Sequence, residues 1–143
     1  MEKKLIQQVI IPSLVTAIVI LLSLLLAAKQ HYGSPTIQAL IETFLIFILP
    51  MFPIIYGSII RDKFGSTLMG AMPFSGFFIV TLFKASYSPI FMRWLTSAIP
   101  FWLVLITIAG LEGYFASQRK ISSFLVAICL YILCILLFLF GIK

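Results

Sequence analysis

The chain has 143 residues, 62% of them hydrophobic and only 10% charged, with a net charge of +6 and a mean hydropathy of +1.20. A soluble domain carries about 25% charged residues and about half apolar ones, so there is too little polar surface here to cover a water-soluble globule. The ten Lys and Arg residues sit at the edges of apolar runs instead of on one face, which argues against nucleic acid as a partner and for the lipid bilayer.

The chain opens on Met1-Glu2-Lys3-Lys4, which resembles the basic start of a signal peptide. The apolar run that follows, residues 9–28, exceeds a signal core of about 7–15 residues, and it ends in Leu26-Ala27-Ala28-Lys29 without an A-x-A pattern. It reads as a retained first helix. Four more apolar runs follow, over 37–60, 66–83, 94–116 and 121–142. A bilayer core roughly 30 Å thick needs about 20 helical residues, and only the third run, with 18, falls short.

Backbone groups in lipid must be satisfied within their own segment, so the runs are expected to be helices; the short alternating strands of a barrel are absent. The fold expected is therefore all-α: one integral membrane domain over 1–143, a transmembrane bundle of five helices. The connections at 29–36, 61–65, 84–93 and 117–120 are short, which makes successive helices antiparallel. Tyr32, Tyr87, Trp94 and Tyr114 fall near segment ends, as interfacial aromatics do.

Five crossings in a cell membrane, with a cytoplasmic N-terminus, put six cations inside (Lys3, Lys4, Arg61, Lys63, Arg119, Lys120) and four outside (Lys29, Lys84, Arg93, Lys143). In a rival topology 66–83 dips in and returns on the same side, and the count becomes seven to three. That segment carries Gly70, Pro73 and Gly76, but a re-entrant backbone survives only where protein or water covers it. Five crossings is the preferred reading.

Four features are candidates for chemistry or packing. Glu112 is an ionisable group in the fourth segment, hence a candidate proton, cation or substrate site. It also lies about one turn from the segment's end, where a side chain can snorkel to water, and that is the favoured reading. Glu42, near the start of the second segment, is expected at a different depth, on the order of 15 Å from Glu112, so paired-carboxylate chemistry is not expected. Pro50 and Pro53 should break the second segment, because each removes a hydrogen bond and clashes with the preceding turn; broken helices build transporter sites. Pro73 is a candidate second break. Finally, Ala109, Gly113 and Ser117, and likewise Thr67, Ala71 and Ser75, recur every four residues and mark helix packing.

The remaining features are weaker. His31 is the only histidine and lies in a loop, so no metal or cofactor is expected. Cys129 and Cys134 are five residues apart, about 140° on a helix, so they should face different directions. The Arg61-Asp62-Lys63 turn is expected to stay in water and fix topology. No phosphate loop, nucleophile elbow, H-E-x-x-H or C-x-x-C is present, and an enzyme is not expected. The preferred function is a small subunit or accessory component of a membrane assembly, partnered by other membrane subunits or by itself. The alternative is a small oligomeric transporter or channel-like protein using the proline break and a membrane glutamate.

Overall fold

A computed structural model describes residues 2–29, 35–87 and 91–141. His31, Tyr32 and Gly33, together with Lys143 at the C-terminus, lie outside the described residues. Among those described there is no strand, and the elements are helices joined by turns.

The N-terminal rod is made of α1 (Glu2–Leu5), a π-helical turn (Ile6–Ile10) and α2 (Ile11–Lys29). The second segment contains α3 (Pro35–Thr43), a π-helical turn (Phe44–Ile48) and α4 (Met51–Ile60). Three long helices follow: α5 (Lys63–Ala85), α6 (Phe91–Ala116) and α7 (Ile121–Gly141). Four helices are long and apolar enough to cross a membrane, and a fifth span results if the two bent halves 39–48 and 51–60 count as one.

Both π-helical turns end two residues before a proline, at Ile10 before Pro12 and at Ile48 before Pro50. A proline ring collides with the carbonyl four residues back. Widening the preceding turn to i→i+5 bonding moves that carbonyl aside. At Pro12 the helix then continues. At Pro50, with Pro53 one turn on, it breaks: Leu49 N–H bonds back to the Phe44 carbonyl at 3.0 Å, Phe52 N–H bonds to the Leu49 carbonyl at 3.2 Å, and the two halves bend by 45°. The expected break in the second segment is present.

Pro73 makes no second break, contrary to expectation. The helix runs unbroken from Lys63 to Ala85, with Pro73 buried. One proline removes a single bond, and α5 is clamped between α2 and α6, so packing holds the helix together. Nor is 66–83 a dip. Arg61, before α5, lines the same cleft as Arg119 and Lys120, after α6. Helices α5 and α6 therefore run out and back as an antiparallel pair.

Helices α5 and α6 form the centre; α2 packs on α5, α7 on α6, and α4 touches both. The core contains Val19, Leu49, Phe74, Leu105, Ala109 and Phe138. Trp102 lies among Phe77, Phe78, Phe101 and Phe138, with centroids 5.2 Å from Phe77 and 5.4 Å from Phe78. The outside is as apolar as the inside: Ile59, Ile79, Leu103, Leu125, Ile132 and Phe140 are all exposed. A bilayer covers such a surface, and water does not.

Candidate functional site

The site is built on the α5–α6 crossing. A side chain on Gly113 would collide with the carbonyl oxygen of Ser66, and one on Gly70 would collide with the carbonyl oxygen of Ala109. Each helix thus contributes a glycine and a small residue four positions away, and the two backbones touch. From α4, a Cβ on Gly57 would lie 2.9 Å from the Gly113 carbonyl oxygen and 3.0 Å from the Ala116 Cβ. The Cβ of Pro53 lies 3.3 Å from where a Gly113 side chain would start. Three helices therefore converge at Gly113.

Glu112 is the residue before that junction. It is 0% exposed, and neither carboxylate oxygen has a hydrogen-bond partner. This overturns the snorkelling reading. Glu112 shares the buried face of α6 with Ile108, Ala109 and Ala116, three and four residues away, and so points inward with them. Ser66, whose carbonyl meets Gly113, is also 0% exposed with its hydroxyl oxygen unpartnered. Cys134 of α7 is also fully buried. Cys129 is exposed, so the two cysteines do face different ways.

Glu42 is not part of this site. It is exposed on α3, before the break, while Pro53 beyond the break reaches Gly113. Pro50 and Pro53 are both buried. On α6, Ala109, Gly113 and Ser117 are buried as the stripe requires. On α5 the tight contact is one residue off the expected Thr67, Ala71 and Ser75. Ser66 and Gly70 make the backbone approach, while Thr67 and Ala71 stand 3.5 and 3.6 Å from where a Gly110 side chain would start, ordinary contact distances. Ser75 is only half-buried and donates to the Ala71 carbonyl at 2.8 Å. Ser66, Gly70 and Gly57 escaped the sequence reading; the signal for the first two was a second four-residue small pair in the adjacent register.

The charged turn is anchored to the N-terminal rod. Asp62 caps α5 by accepting from Gly65 N–H at 2.6 Å, and its other oxygen accepts from Gln8 Nε2 at 3.1 Å. The Tyr56 hydroxyl donates to the Gln7 carbonyl in the π-helical turn. Lys63 Nζ stands 5.6 Å from the Tyr114 ring centroid. So the rod's start, the α4–α5 turn and the α6–α7 turn lie at one end of the bundle.

No family model matches this chain, and neither a curated protein nor a solved structure matches it. Among the described residues, no three His, Cys, Asp or Glu side chains converge to hold a metal ion.

Proposed function

We propose that this chain is a small multi-pass protein of a cell membrane, crossing five times from a cytoplasmic N-terminus, in which Glu112 binds a proton or a cation during transport or channel-like conduction. The burial of an unpartnered Glu112 carboxyl carries the reading. Burying an ionised carboxylate with no partner costs several kcal/mol, and a junction that needed only to pack would be better served by an apolar residue. A proton or cation supplies what the carboxyl lacks, with the Ser66 hydroxyl at the same crossing as a further oxygen.

The bend at Pro50 lends the site a means to move. Helix α4 touches Gly113 from beyond the break, so a change in the bend reaches the junction directly. The activity is non-enzymatic, and self-association through the apolar outer faces completes the unit.

Reconstitution into liposomes holding an internal pH dye tests this reading. Wild-type vesicles should dissipate an imposed pH or cation gradient faster than vesicles carrying equal amounts of Glu112→Gln. Identical rates for the two would dismiss it.

A second reading, a subunit of a larger assembly, is favoured by the outer helices. The spans Ile6–Leu26 and Ile121–Phe140 are only 17% and 22% buried, leaving two faces open to partners as well as to lipid. A partner that co-purifies in fixed ratio in mild detergent supports it.

A further inference from the structure

At the end of the bundle that holds Asp62, a cleft of about 320 Å³ opens between the end of α4 and the α6–α7 turn. Arg61, Arg119 and Lys120 line it, with Gln118 as a neutral donor, and no acidic side chain does. The nearest carboxylate in sequence, Asp62, is occupied by Gln8 and Gly65. Arg61 is the one non-glycine among the described residues with a positive φ, at 57°, where it closes α4 by bonding back to the Gly57 carbonyl at 3.0 Å. That conformation is disfavoured for a side chain of this size, yet an arginine that lines the cleft holds it instead of the usual glycine. Three cations from two turns thus converge on one concavity.

We propose that this cleft binds the phosphate of an anionic phospholipid headgroup. Phosphate oxyanions suit the cations: guanidinium donors pair with them in bidentate fashion, and lysine adds a point charge. A free phosphate would share that chemistry, but the walls favour a lipid. Ile121 and Phe124 line the cleft from the start of α7, 82% and 39% exposed, and the exposed Leu125 follows on the same helix. An acyl chain can descend along this apolar surface while its headgroup stays among the cations, an arrangement suited to basic pockets between helices at a membrane face. The inference is independent of any role for Glu112.

Native mass spectrometry of the full chain, released from micelles doped with equal phosphatidylglycerol and phosphatidylcholine, tests the proposal. Wild-type protein should retain phosphatidylglycerol preferentially. Arg119→Gln, and separately Arg61→Asn, which keeps a residue tolerant of positive φ, should each weaken that retention about fivefold, the effect of one cation near the surface. Lys84→Gln, which removes one charge at the other end of the bundle, should leave it unchanged. Equal retention of the two lipids, or an equal loss in Lys84→Gln, overturns the proposal. Displacement of phosphatidylglycerol by millimolar inorganic phosphate as effectively as by added anionic lipid would make the cleft a free-phosphate site and overturn the lipid assignment.

Discussion

The backbone of Gly113 on α6 lies against the carbonyl oxygen of Ser66 on α5 so closely that a methyl group at position 113 has no room. The obstacle is backbone rather than a side chain that can swing away. The pair Gly70 and Ala109 repeats the contact one turn along, and Gly57 brings α4 to the same place. Lipid tails are as apolar as leucine, so helices in a bilayer associate through close contact of this kind rather than through hydrophobic exclusion from water.

Gly113→Ala should therefore destabilise the bundle by about 1–3 kcal/mol, the usual penalty for overpacking. Gly110→Ala is the internal control. Its new methyl would meet Thr67 and Ala71 at 3.5 and 3.6 Å, ordinary contact distances, and stability should hold or rise by up to about 1 kcal/mol, because alanine favours a helix over glycine. Thermal unfolding of both variants in the same detergent checks the contrast; equal melting temperatures would show that the helices are not in backbone contact.

Asp62→Ala should cost about 1 kcal/mol through loss of the α5 cap, together with the bond from Gln8. Asp62→Asn, an equally good cap, should stay within a few tenths of a kcal/mol of wild type. Denaturant or thermal midpoints measure both. If the two variants melt alike, the charge of Asp62 matters more than its capping geometry.

The apolar runs and the broken second segment were legible because they rest on local chemistry: length against bilayer thickness, and two prolines in one turn. The direction in which Glu112 points was not. A helix that is apolar almost all round gives little contrast between its inner and outer faces, so inwardness is set by which small residues meet across the crossing. The same difficulty displaced the α5 stripe by one residue, from Thr67 and Ala71 to Ser66 and Gly70. Pro73 was misjudged for the opposite reason, since α2 and α6 hold α5 straight from outside it. The anchoring of Asp62 to Gln8 joins residues 54 positions apart, which no local pattern encodes.

Single cysteines at Ser58, Ser86 and Ser122, all exposed, test the topology. With five crossings, a membrane-impermeant maleimide applied to intact cells should label Ser86→Cys and spare Ser58→Cys and Ser122→Cys, which should react only after permeabilisation. The native thiols Cys129 and Cys134 lie inside the apolar span of α7, away from an aqueous reagent. Labelling of Ser58→Cys and Ser122→Cys from opposite sides would refute the antiparallel pairing of α5 and α6.

The most direct test of Glu112 as a proton or cation site is infrared difference spectroscopy of the reconstituted protein as pH or cation concentration is stepped. The expected result is a reversible carboxyl band that is absent in Glu112→Gln and retained in Glu42→Gln. Coincident difference spectra for wild type and Glu112→Gln would mean that the buried carboxyl exchanges nothing with either solution, contradicting its role as a binding site.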